Sequence, residues 1–191
     1  MKADKTFKNW PILKSETGPD ILLFRVRYDW VINPRNKMEF KRVVLECPDW
    51  VNILALTPEK HILLVHQYRF GSKTITTEIP SGLVDPGETH EQAARRELLE
   101  ETGYVSEKWN YLGAVQPNPA FQDNLCHHWL AQDVQKVQEP APDAGEDIRV
   151  TLSDFKEIQT KVRLGEISHV LALSAFSRYE DLWRADLFTG V

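Results

Sequence analysis

Residues 82–104, GLVDPGETHEQAARRELLEETGY, contain a loop punctuated by Gly82 and Gly87, which let it turn sharply because glycine can take positive φ, then a helix whose two ends are both written in the sequence. Thr89 followed three residues later by Gln92 fits a capping box, in which each side chain satisfies the other's backbone amide. Gly103 fits the left-handed position just past a helix end, where a Cβ is a steric burden. These signals bound the helix to roughly His90–Thr102. At about 100° per residue, Glu97, Glu100 and Glu101 fall within an arc of about 100°. Glu97 and Glu101, four apart, repel each other by about 0.2–0.5 kcal/mol in an isolated helix. Arg96, four before Glu100, offsets part of that. Three glutamates on a helix are ordinarily solvated surface. A divalent cation between them resolves the repulsion, and hard oxygen ligands without histidine or cysteine favour magnesium, with manganese as substitute, over zinc.

Outward from the helix, Thr76–Ile79 is short and extended and runs into Pro80. Before it, Val51–Leu56 and His61–Tyr68 read as strands joined by a turn at Thr57–Lys60. Ile21–Trp30 and Glu39–Cys47 read as a hairpin around Asn33-Pro34-Arg35-Asn36, and residues 1–18 as irregular with a short strand. After the helix, Trp109–Pro117, His127–Ala131 and Ile148–Leu152 read as strands. Val134–Gly145 reads as a proline-bearing loop, and Ser153–Leu164 and Ser168–Asp181 as helices. Strands and helices interleave without a strict βαβ repeat. The class is therefore α/β in the broad sense (α+β), a mixed sheet sandwiched between helices, with an N-terminal β-hairpin extension.

A chain of 191 residues suits one domain with a small extension. We divide it into N-terminal strands over 1–46 and a main domain over 47–191. The net charge of −5 offers no basic footprint for a nucleic-acid backbone. Cys47 and Cys126, the two cysteines, form no CxxC pair. Met1–Gly18 holds no continuous apolar run, so the expectation is a cytoplasmic protein without a membrane partner.

The spacing is Gly82, five residues, Glu88, seven residues, Arg96-Glu97-Leu98, one residue, Glu100-Glu101, one residue, Gly103-Tyr104. It resembles the Nudix box at every fixed position. Beyond the box, Gln67-Tyr68-Arg69, Glu78-Ile79-Pro80-Ser81-Gly82 and Glu146-Asp147-Ile148-Arg149-Val150 resemble the branch that hydrolyses ADP-ribose and nucleoside diphosphate sugars. That resemblance implies a Nudix fold and a metal-dependent pyrophosphatase releasing a nucleoside monophosphate and a sugar phosphate. It implies Glu97 and Glu101 as principal metal ligands, Glu100 as a further ligand or proton acceptor, and the Ser81 carbonyl completing the shell. Glu88 would pair with Arg96. Glu146 would be a metal ligand or the catalytic base. Arg69 would contact phosphate or terminal ribose, and Glu78 would help hold substrate or partner subunit.

The branch dimerises through N-terminal strands, which makes a homodimer the expected assembly. Tyr28 and Trp30 would either stack on the nucleobase from the partner or serve core and interface. Asp123, Asn124, His127 and His128 would lie on a strand edge near the sugar or base, or satisfy backbone groups. One departure stands out. A Ser-Pro-Gly motif common after the box in ADP-ribose pyrophosphatases is Gln116-Pro117-Asn118-Pro119-Ala120-Phe121 here, which leaves room for GDP-mannose or other nucleotide sugars. Hydrolysis of a dinucleoside polyphosphate or oxidised nucleotide, and a non-catalytic sensing module, are the alternative readings.

Overall fold

The computed structural model describes residues 8–183. It divides into two compact units, one formed by the chain up to Pro48 together with Gln116–Asn124, the other by Asp49–Val115 and the chain from Leu125 onward.

The first unit is an antiparallel sheet of β1 (Ile12–Ile21), β2 (Phe24–Ile32) and β3 (Glu39–Glu46), in that order. The extension thus has three strands, and the short strand expected within residues 1–18 is the 10-residue β1. The apolar run Ile21-Leu22-Leu23-Phe24, expected to be continuous strand, is a two-residue turn with Ile21 paired to Phe24 and Leu22 at φ 70°. A leucine in that conformation gives no turn signal in sequence, since glycine or asparagine is the usual occupant. The turn between β2 and β3 falls where expected, closed by the Lys37 N–H donating to the Asn33 carbonyl at 2.9 Å. Residues 1–7 of the segment expected to be irregular lie outside the described residues.

In the second unit, β4 (Trp50–Ala55) and β5 (Ile62–Arg69) are followed by β6 (Thr74–Glu78), β7 (Ser81–Leu83) and helix α1 (His90–Thr102). Then come β8 (Tyr104–Val105), β9 (Lys108–Val115), β10 (Cys126–Gln132), β11 (Gln135–Lys136), β12 (Ile148–Ser153), α2 (Phe155–Leu164) and α3 (Val170–Ser177). One sheet has the order β7-β4-β10-β9, with β4 and β10 parallel and the other pairs antiparallel. A second, antiparallel, has the order β12-β5-β6, and β8 pairs with β11.

The long apolar runs of β4 and β5 are explained by burial on both faces. Val51, Ile53, Ala55 and Leu63 pack with Ala93, Ala94 and Leu98 of α1. Leu54, Leu56, Ile62 and Leu64 pack with Ile158 of α2 and Ala172, Ala175 and Phe176 of α3. The expected sandwich of a mixed sheet between helices is what forms. The last expected helix is shorter than its apolar pattern: α3 ends at Ser177, and a separate 3-10 turn covers Glu180–Trp183.

Candidate active site

Both caps of α1 form as expected. The Gln92 N–H donates to Thr89 Oγ1 at 3.2 Å, and the Thr89 N–H donates to Gln92 Oε1 at 2.8 Å. Gly103 sits at φ 75° with its N–H on the Leu99 carbonyl, and a Cβ there would also run into the Gln138 backbone carbonyl. The helix is thereby fixed in length and rotation, which decides where its glutamates point.

Glu101 is 1% exposed, the Glu97 side chain 13% and the Glu100 side chain 44%. The shared face therefore grades from interior to solvent. Burial holds the Glu101 carboxyl well above the usual carboxylate range; the Ser81 N–H, donating at 2.9 Å, pulls it down, while Glu97 and Glu146 push it further up. Burial likewise lifts Glu97 to about 7, against the pull of Arg96 and with added repulsion from Glu100 and Glu146. Two carboxyls in one desolvated place favour losing charge or gaining a cation.

Arg96 organises the remaining carboxylates. Its Nε and Nη2 donate to the two oxygens of Glu88 at 3.0 and 2.9 Å, and Nη2 also donates to the Leu83 carbonyl at 3.0 Å. Its Nη1 donates to Glu97 at 2.7 Å and Glu100 at 3.1 Å. The expected Glu88–Arg96 pair is present as a bidentate fork, which adds orientation to charge. The glycines serve by two different means. Gly87 takes φ 86°, as expected for a sharp turn. Gly82, also expected to supply a positive φ, is instead strand residue in β7, and what demands glycine there is space: a Cβ would collide with the Glu97 carboxyl.

Among the described residues no three of His, Cys, Asp and Glu are already arranged to hold a metal ion. Glu97 and Glu100 are turned onto Arg96, and Glu101 accepts from the Ser81 N–H, which brings the Ser81 backbone to the cluster. The donor set nonetheless fits a divalent cation. Oxygen ligands of this kind suit magnesium-like ions, burial disfavours the charged forms of the two inner carboxyls, which a cation would relieve, and Gly82 leaves the Glu97 carboxyl room that any side chain would fill.

Arg69 and Glu78, expected separately at substrate, are brought together. Arg69 Nε and Nη2 donate to Glu78 Oε1 and Oε2 at 2.8 and 2.7 Å. Glu78 is 1% exposed while 40% of the Arg69 side chain is exposed. Burial alone would raise the Glu78 carboxyl, but Arg69, His169 and Thr76 together hold it below the usual range. Glu101 and Glu146 add to the negative field that favours the charged Arg69 guanidinium. Glu146 itself is exposed in a turn, its N–H on the Asp143 carbonyl at 2.9 Å and its carboxylate accepting from the Asp143 N–H at 3.2 Å.

Tyr28 and Trp30 lie on β2 in the first unit. Lys41 Nζ sits 3.8 Å from the Tyr28 ring centre, and Lys14 Nζ sits 4.0 Å from that of Trp30. Asp123 also belongs to that unit, where it pairs with Arg27 at 3.4 Å. His127 and His128 do not lie on a strand edge, because β10 runs between β4 and β9. Its parallel pairing with β4 joins segments more than seventy residues apart and leaves no local trace. His127 bridges Tyr111 Oη at 2.8 Å and Asp49 at 3.2 Å and stacks on His90, while His128 is fully buried against Ser174. Thr76 and His169 were not assigned to the site by sequence; Thr76 shares a strand face with Glu78, a period-two relation that was available to find it.

The family model for the NUDIX domain matches residues 48–171. A Bacillus subtilis protein called ADP-ribose pyrophosphatase is 37% identical over 99 residues, covering 52% of this chain and 54% of that one, so the match spans about half that relative's length. A Bacillus methanolicus protein called methanol dehydrogenase activator is 32% identical over 152 residues, covering 77% and 82%. In fold, the chain is similar to a crystal structure of an ADP compounds hydrolase, with a TM-score of 0.81 at 21% identity, covering 98% of this chain and 100% of that one.

Proposed function

We propose, from the premise that this chain belongs to the NUDIX domain family, that it hydrolyses the pyrophosphate of ADP-ribose or a related nucleoside diphosphate sugar. The observation that carries the reading is the buried Glu97–Glu101 pair beneath Gly82, with Arg96 forked onto Glu88. The name of the Bacillus subtilis relative supports ADP-ribose as the first substrate to try.

In this reading Glu97 and Glu101, with Glu100 and the Ser81 carbonyl, would hold Mg2+, for which Mn2+ could substitute. When bound, the cation neutralises the pyrophosphate and eases deprotonation of water. The chain's own groups do the rest. Glu146, on its exposed turn, takes the proton of the attacking water. Arg69, anchored by Glu78, binds a phosphate oxygen. Arg96 keeps Glu88, Glu97 and Glu100 in register. An oxygen–phosphorus bond forms to water as the bridging bond breaks, giving a nucleoside monophosphate and a sugar phosphate. Residues 47–191 act as the catalytic domain, while residues 1–46 pair two copies into a homodimer in which Tyr28 and Trp30 of one protomer stack on the base. We further propose a cytoplasmic setting; among the described residues no helix is long and apolar enough to cross a membrane.

The test is hydrolysis of ADP-ribose and GDP-mannose side by side, with magnesium and with chelator, reading AMP and GMP. Release of either only with metal supports the reaction, and the ratio sets the base and sugar preference. No release of either by folded, metal-treated protein removes this substrate class.

A further inference from the structure

Arg69 spends two of its donors on Glu78, and a guanidinium tethered this way is only as well aimed as the carboxylate that holds it. Glu78 is not held by Arg69 alone. Its Oε1 also accepts from Thr76 Oγ1 at 2.5 Å. Its Oε2 faces His169 Nδ1 at 3.4 Å, and that ring nitrogen is buried without a hydrogen-bond partner. His169 occupies the N-cap position of α3, yet its side chain makes no capping bond. Its place at the start of that helix therefore brings the ring to Glu78 rather than to the helix amides. The two braces come from different elements: Thr76 from β6, two residues before Glu78, and His169 from α3. Among the described residues the remaining guanidinium nitrogen of Arg69, Nη1, makes no hydrogen bond, while Nε and Nη2 are fixed.

We infer that Thr76 and His169 are positioning residues that clamp Glu78 from both sides, so that Arg69 presents Nη1 as a rigid single-arm clamp for a phosphate oxygen of the substrate. The inference rests on the phosphate-binding role proposed for Arg69. Its physical basis is that a carboxylate held on both oxygens from different elements swings little, and a guanidinium bonded to it through two parallel contacts cannot rotate. Aimed beforehand, the arm loses little side-chain freedom when phosphate arrives. Burial keeps the His169 ring toward its neutral form, which has one N–H to give, and the tautomer bearing it on Nδ1 would aim that N–H at Glu78 Oε2, 3.4 Å away. A braced Arg69 contributes to binding the diphosphate in ground and transition states alike, so its loss appears in affinity rather than in turnover.

The experiment compares the full-length wild type with Thr76→Val, Thr76→Ser, His169→Ala, His169→Gln and Arg69→Lys. It measures the Kd for ADP by calorimetry and KM and kcat for ADP-ribose, after thermal melts confirm folding. Thr76→Val and His169→Ala are expected to weaken ADP binding and raise KM by about tenfold, the order of one hydrogen bond to a charged group, with kcat within about twofold. Thr76→Ser, which restores the hydroxyl, and His169→Gln, which restores a donor, are expected to recover most of the loss. Wild-type affinity in Thr76→Val and His169→Ala, with Arg69→Lys impaired, overturns the brace and leaves the Arg69 role standing. Unchanged affinity in Arg69→Lys, or no ADP binding by the wild type, overturns the underlying reading. A fall in kcat at constant KM, or no recovery in Thr76→Ser, also sinks the inference.

Discussion

Arg96 grips Glu88 with two parallel hydrogen bonds of 3.0 and 2.9 Å and reaches with its remaining arm to Glu97 and Glu100. One guanidinium thus ties the loop after β7 to the charged face of α1. Lysine keeps the charge but has no planar fork. Arg96→Lys is expected to lower stability by about 1–3 kcal/mol, the scale for hydrogen bonds to charged groups left unmade in a half-buried place, and to lower activity together with it. Urea unfolding and turnover on the same samples check this. A lysine variant with wild-type values of both would mean that charge alone matters.

Glu101 is expected to behave in the opposite way. Its carboxyl is buried and held toward the neutral form, and its Oε2 contact with the Ser81 N–H needs only an acceptor. Glutamine supplies that acceptor and carries no charge. Glu101→Gln should therefore fold with unchanged or higher Tm in chelator. It should lack the Tm rise with magnesium that we expect of the wild type, and lose at least about tenfold in rate, or about 1.4 kcal/mol of barrier. A variant that still gains stability from metal and turns over normally would remove Glu101 from the ligand set.

The box and its helix were legible because their determinants are local. Thr89 with Gln92, Gly103, and the glutamate spacing all act within one or two turns. The turn at Leu22-Leu23 was not legible, because it is built from residues that usually extend a strand. The interior place of β10 and the meeting of His169 with Glu78 were also not legible, since both join distant parts of the chain. For Gly82 the residue was singled out correctly but for the wrong physical reason. Sequence shows that a side chain is missing, and only the fold shows that Glu97 needs the room.

Buried histidine makes a pH prediction with a definite sign. Burial pushes His128 down to about 4, with Arg178 and His127 adding to the shift. The folded state then binds fewer protons than the unfolded state between the ordinary histidine range near 6.5 and about 4. Its contribution is fully present above about 6.5 and is lost as pH falls toward 4, by at most about 3 kcal/mol at 1.4 kcal/mol per unit. Glu97 and Glu101 work against this, because their raised carboxyls favour the folded state at acid pH and lose that advantage as pH rises. The His128 part is isolated by comparison. Denaturant unfolding between pH 6.5 and 4 should show a smaller acid loss in His128→Gln than in the wild type. Equal slopes would mean that His128 titrates normally in the fold.

Glu146 is exposed, yet its charge is felt at Glu97, Glu101 and Arg69. The turn that carries it is held by two bonds to Asp143, of 2.9 and 3.2 Å, and by no helix or strand pairing of its own. A group so placed can approach bound substrate and withdraw at small cost, as loops that gate chemistry do. As the proton acceptor for water it acts only in the transition state, whereas a ligand of the ground-state complex would change KM. Glu146→Gln keeps the shape and the bond to the Asp143 amide but cannot take a proton. We expect kcat to fall by about a hundredfold, the lower end for general-base catalysis, with KM within about threefold. Melting temperature should not move, because the side chain is exposed. If instead KM rises while kcat and its pH profile stay as in the wild type, Glu146 binds substrate and the base must be sought among Glu97, Glu100 and Glu101.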